Sequence, residues 1–140
     1  MIRIVISFVL FLMSISLFSQ DNTTKGIDIK VSVADFTNDK GIAIFSLFQK
    51  EGFLEKPIQK IEKEVIDGKS IVTFKNVSQG TYAILCHHDS NKNSMLDFLE
   101  NGMPTEDIGV TNSVIRFGPP SFEKSKFEVT DKNLEIEIKF

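Results

Sequence analysis

From residue 26 onward, apolar positions recur mostly at every second residue, in short runs broken by Gly, Pro, Asn and Asp. In GIDIKVSV (26–33), Ile27, Ile29, Val31 and Val33 fall on one side, and Asp28, Lys30 and Ser32 on the other. That is the period of a half-buried strand. TNDKG (37–41) predicts a turn, and IAIFSLF (42–48) a strand buried over more of its surface. QKEGFLEKP reads as a loop closed by Pro57. In IQKIEKEVI the apolar residues sit at 58, 61, 65 and 66, which suits a helix as well as a strand; its neighbours favour a strand. DGK (67–69) predicts a tight turn. SIVTFKNV (70–77) predicts a strand with Ile71, Thr73 and Lys75 opposite Val72, Phe74 and Asn76. SQG turns the chain again, and TYAILCH (81–87) places Tyr82, Ile84 and Cys86 on one face of the next strand. A long irregular connection follows, and then KFEVTD (126–131) and NLEIEIKF (133–140) predict a final hairpin. The pattern as a whole predicts an all-β fold, an antiparallel two-sheet sandwich of about seven strands.

The first twenty residues, MIRIVISFVLFLMSISLFSQ, follow another rule. One cation, Arg3, precedes an apolar stretch over 4–18, and Ser19 offers a small residue for cleavage before Gln20. This is the layout of a signal peptide over 1–19. The stretch falls short of the ~20 apolar residues of a spanning helix, and serines interrupt it. Residues 20–140 then form one domain, periplasmic or secreted, with no stable membrane span after cleavage. The chain is mildly acidic and has no basic run, which excludes a nucleic-acid footprint. Thirteen Phe, some of them in the leader, supply mass for a core. A single cysteine, Cys86, forbids an intrachain disulfide and reads as a small buried hydrophobe. Cys86, His87 and His88 cannot converge on one metal from a single strand, because successive side chains point to opposite faces.

Candidate chemistry is concentrated in HHDSNKNSMLDFLENG (87–102). Counted from Asp89, the residues Asp89, Asn91, Asn93, Met95, Asp97 and Glu100 occupy the ligand positions of a calcium loop of the EF-hand type. Alternate side chains would turn inward, Met95 would offer its carbonyl, and Glu100 would close the cage. Ser94 stands where that loop uses Gly for a sharp turn. The loop also follows a strand rather than a helix. Calcium is therefore the candidate cofactor, and a solvated Asx-rich turn is the competing reading.

The stretches GTYAILCHHDSNKNSMLDFLENGMPTEDIGVTN and RFGPPSFEKSKFEV resemble the bacterial secreted family called domain of unknown function 2141. The likeness rests on Gly80, Tyr82 and Ala83, on His88-Asp89 with Asn91, Asn93 and Leu96-Asp97, and on Gly102, Pro104 and Glu106. It continues through Gly109, Thr111 and Asn112 and the segment FGPPSF (117–122). The resemblance implies a prealbumin-like or immunoglobulin-like sandwich and no established activity. Ser94 replaces the family's glycine.

His88 can hold the loop in place or serve as a base; with no partnered Ser or Cys nucleophile, the structural role is preferred. Arg116, Phe117, Gly118, Pro119 and Pro120 form a rigid surface segment in which Phe117 and Phe122 can anchor to the core. No catalytic residue is assigned. The function expected is a non-enzymatic binding or envelope-associated module with a calcium loop over 89–100, its partner a protein, glycan or small ligand. The alternative is a metal-assisted extracellular hydrolase using His88 and the loop carboxylates.

Overall fold

The computed structural model describes residues 26–115 and 118–140. The signal peptide expected over 1–19, and Arg116 and Phe117, lie outside the described residues. Among the described residues, eight strands form two sheets: β1 (Ile27–Ala34), β2 (Ile42–Phe48), β3 (Gln59–Lys63), β4 (Lys69–Val77), β5 (Gly80–Asp89), β6 (Ile108–Val110), β7 (Phe127–Val129) and β8 (Leu134–Ile138). One sheet has the order β4-β1-β8, the other β3-β2-β5-β6, with β7 pairing β5. The only helical pieces among the described residues are a 3-10 turn, Lys50–Gly52, and one α-helical turn, α1 (Phe122–Ser125).

Alternation decides which side each strand buries. Ile27, Ile29, Val31 and Val33 of β1 all face the core, as their period predicts. Phe45 and Leu47 of β2, with Ile84 and Cys86 of β5, meet them from the other sheet, and Phe74 of β4 lies beside them in their own. β2 also buries its outer face, because Phe48 packs on Phe53 (ring centroids 5.7 Å apart) and Phe53 on Phe122 (5.6 Å). This explains why IAIFSLF lacks polar alternation. It also explains the α1 turn, which seats Phe122 under that aromatic stack.

Within 58–66 the strand is β3, Gln59–Lys63, which pairs with β2 through Phe45 and Ile61. Asp67 and Gly68 form the tight turn, with Ile66 and Lys69 exchanging backbone hydrogen bonds of 2.9 and 3.0 Å. Both turn residues have positive φ (52° and 70°), as a two-residue hairpin loop of this hand needs.

Three expectations fail. The connection after β5 is not irregular throughout, because Ile108–Val110 forms β6 and pairs with Leu85–His87 of β5. Asn76 does not share the face of Val72 and Phe74: it sits at φ 56°, the β1–β4 register slips there, and Val77 turns into the core in its place. Asn76 suits this bulge because its short amide tolerates the left-handed region and here accepts the Gly26 N–H at 3.1 Å. The final two strands are not a hairpin. β7 pairs antiparallel with Gly80–Tyr82 of β5, whereas β8 crosses to the other sheet and pairs parallel with β1. The cross-layer step is fixed by Asn133, whose side-chain oxygen accepts the Asp28 N–H at 3.1 Å.

Candidate functional site

β5 carries the site at its C-terminal end. His88 and Asp89 are its last two residues, and they are 1% and 0% exposed. His88 faces inward. Its Nε2 lies 2.6 Å from the Lys40 carbonyl and, since a carbonyl only accepts, donates to it. Its Nδ1 faces Asp107 Oδ2 at 3.5 Å, and its ring meets Phe36 edge-on at 5.2 Å. Asp107 in turn accepts the N–H and hydroxyl of Thr37, both at 2.7 Å. His88 therefore ties the 35–41 turn to the start of β6. It does not hold Asp89 directly, and it is sealed from the solvent through which a substrate would arrive.

Asp89 is the hub of the loop. Its two carboxylate oxygens accept the backbone N–H groups of Asn93 (3.0 Å) and Ser94 (2.8 Å). These bonds bend the chain back over the strand end. Asn91 Oδ1 accepts from Asn93 N and Asn93 Oδ1 from Met95 N, the local Asx closures that make asparagine a turn residue. The side-chain amides of Asn91 and Asn93 both donate to Asp97 Oδ2, at 2.6 and 2.9 Å. Four of the six spacing-derived positions thus meet: Asp89, Asn91, Asn93 and Asp97. Met95 is exposed and joins through its backbone N–H, and Glu100 is exposed on the far turn.

The acid that returns to the loop is Glu106. One oxygen accepts Ser90 N at 2.9 Å and Ser90 Oγ at 3.1 Å; the other takes Asp97 N at 3.4 Å. Spacing along an EF-hand loop passes over Glu106, because residues 98–104 fold back on themselves before it arrives. Phe98 pairs with Pro104, and Leu99 N donates to Met103 O at 2.8 Å. The only sequence signal for Glu106 was its place in the resemblance. Among the described residues, no three His, Cys, Asp or Glu side chains converge as a ready metal cage.

Ser94 takes φ 64° and Lys92 φ 61°, so the sharp turn expected of position 94 is made without glycine. An L-residue there costs about 1–2 kcal/mol, and glycine offsets part of that gain by its greater unfolded-state freedom. Ser94→Gly should stabilise the protein by about 0.5–1 kcal/mol, a rise of a few degrees in Tm. A melt in which the substituted protein unfolds at or below the parent's temperature would refute this account of the turn.

His87 points to the opposite face from His88. Burial lowers its pKa from the usual imidazole range, against the opposing pull of Glu106 and Asp89. Its Nε2 has no hydrogen-bond partner among the described residues.

The other candidate segment lies elsewhere. Gly118 and Pro119 are exposed, Gly118 at φ 70°, and the segment leads into α1. There Phe122 is buried, and Glu123 bridges Lys50 (3.0 Å) and Lys126 (2.7 Å) over a depression that Thr81 also lines. These two lysines hold the Glu123 carboxyl below its usual range. Thr81 and Asp89 sit near opposite ends of β5, so the depression beside α1 lies at the other end of that strand from the acidic loop.

A match to a family model now adds to this geometry. Residues 31–137 match the family described as "Uncharacterized protein conserved in bacteria (DUF2141)". The chain belongs to that family. No curated protein and no solved structure matches it.

Proposed function

We propose that this protein is an exported, non-enzymatic binding module of the bacterial envelope, periplasmic or secreted, whose recognition element is the 89–106 loop. Calcium is the ion we assign to that loop. The observation that carries the reading is the loop's construction around a fully buried carboxylate, Asp89, with Glu106 folded back to close it. Such a loop gathers oxygens from Asp89, Asn91, Asn93 and Asp97, the hard-ligand chemistry that suits calcium. Glu106 takes the closing place that spacing assigned to Glu100. Loading requires the Asn91 and Asn93 amides to rotate, because each now turns its nitrogen toward Asp97. The burial of His88 argues against the hydrolase alternative.

A thermal melt with millimolar calcium, with magnesium and with chelator tests the assignment. An ion bound only by the native state stabilises by RT ln(1 + [L]/Kd), so a site of ~10 μM affinity at ~1 mM calcium adds about 2.7 kcal/mol. For a domain of this size that raises Tm by roughly 8 °C or more. A shift specific to calcium is the expected result. Identical melts in calcium and chelator would remove the ion from the proposal.

A further inference from the structure

The turn that delays Glu106 has an unusual surface. Met95, Phe98, Leu99 and Met103 are 64%, 58%, 53% and 60% exposed, four large apolar side chains within nine residues. The finger is not slack. Leu99 and Met103 are joined by a 2.8 Å backbone bond, Gly102 N donates to Leu99 O at 2.8 Å, and Phe98 pairs with Pro104. Apolar side chains held outward on an ordered turn bind without the cost of ordering the turn first. Methionine adapts to varied partners and phenylalanine anchors, a pairing suited to recognition.

The charge around the finger selects the partner. The 89–107 loop carries Asp89, Asp97, Glu100, Glu106 and Asp107 against one cation, Lys92. The 35–41 turn, which Asp107 ties to the loop, and the 67–69 turn beyond it add Asp35, Asp39 and Asp67 against Lys40 and Lys69. Asp39 accepts the N–H groups of Asp67 and Gly68, and Asp107 holds Thr37. This end of the sandwich carries eight acids against three cations, Lys40, Lys69 and Lys92, and stays net negative with a calcium ion bound, in a chain whose net charge is −3. A two-fold contact between copies through this finger would set acid against acid. An anionic lipid surface would be repelled in the same way.

We propose that the 95–103 finger docks a cationic amphipathic segment of a partner protein, one that presents Lys or Arg around an apolar stripe. Its apolar side chains meet Phe98, Leu99 and the two methionines, and its cations meet the acidic collar. This deepens the recognition role proposed for the loop and rests on that reading.

The test uses the purified protein and a fluorescein-labelled helical peptide built from Leu and Lys alone, with a Leu/Glu peptide of the same pattern as control. The expected result is saturable binding of the Leu/Lys peptide that weakens as salt rises, with none for the Leu/Glu peptide. The double variant Phe98→Ser, Leu99→Ser should weaken binding roughly tenfold or more while keeping the parent's melting temperature. Absence of binding, equal binding of both peptides, or binding that survives the double substitution overturns the proposal. So does finger-dependent self-association in sedimentation, or finger-dependent binding to phosphatidylglycerol vesicles in place of the peptide. Failure here with an intact calcium shift overturns the docking surface alone. Peptide binding without any calcium shift overturns the ion alone.

Discussion

Asp89→Ala should lower the stability of this protein by about 3 kcal/mol, the sum expected for two hydrogen bonds to a charged acceptor at about 1.5 kcal/mol each. The carboxylate is fully buried and takes the N–H groups of Asn93 and Ser94. Alanine leaves both donors without their acceptor. Asn93 and Ser94 are themselves exposed, so water can reach those donors once the loop opens, and this keeps the cost near the low end of the range. The Tm should fall by roughly 10 °C, and limited proteolysis should find new cleavage inside 91–105. Glu100→Ala supplies the contrast. Its side chain is exposed and accepts no hydrogen bond among the described residues, so its effect should stay within about 0.5 kcal/mol. The calcium shift that we propose for the loop should vanish in Asp89→Ala and persist in Glu100→Ala. Equal losses in the two variants would return the closing role to Glu100 and overturn the site as described.

The contrast between Asp89 and Glu100 shows how far this site can be read from sequence. Short-range features were legible. Asp89, Asn91 and Asn93 act through hydrogen bonds to residues two to five positions away, and alternate spacing captures such contacts. The left-handed turn at Ser94 was legible for the same reason. So was the face of β1, because a period of two is a direct consequence of strand geometry. What failed depends on where the chain returns. Glu106 reaches Ser90 only after the 98–104 turn is folded, and no count along the loop anticipates that. His88 finds Lys40 and Asp107, partners 48 and 19 positions away, rather than its neighbour Asp89. The 126–131 and 133–140 stretches have the pattern of a hairpin, yet the pattern of alternation is the same whether a strand pairs with its neighbour or with a distant one. β8 pairs with β1 because the edge of that sheet was open to it.

The tightest constraint on the site comes from across the sheet, at Gly41. The turn from β1 to β2 passes so close to the end of β5 that a Cβ on Gly41 would lie 2.0 Å from the Asp89 carbonyl oxygen and 2.6 Å from Ser90 Cα. Both obstacles are backbone, so no side-chain rotation relieves them. Gly41 also has φ +74°, where an L-residue is strained. Gly41→Ala should therefore combine about 1 kcal/mol of conformational strain with an overpacking cost of up to about 3 kcal/mol, on the order of 4 kcal/mol in all. Gly102→Ala separates the two contributions. Gly102 has nearly the same φ, +79°, but a Cβ there meets nothing within 4 Å. It should cost about 1 kcal/mol, the strain alone. The difference between the two variants in chemical denaturation is the cost of pushing the 35–41 turn off the strand end. Because the displaced atoms belong to Asp89 and Ser90, Gly41→Ala should also abolish the calcium response, whereas Gly102→Ala should retain it. If both alanine variants lost the same stability, the close approach of the 35–41 turn to Asp89 would not be what holds the loop in place.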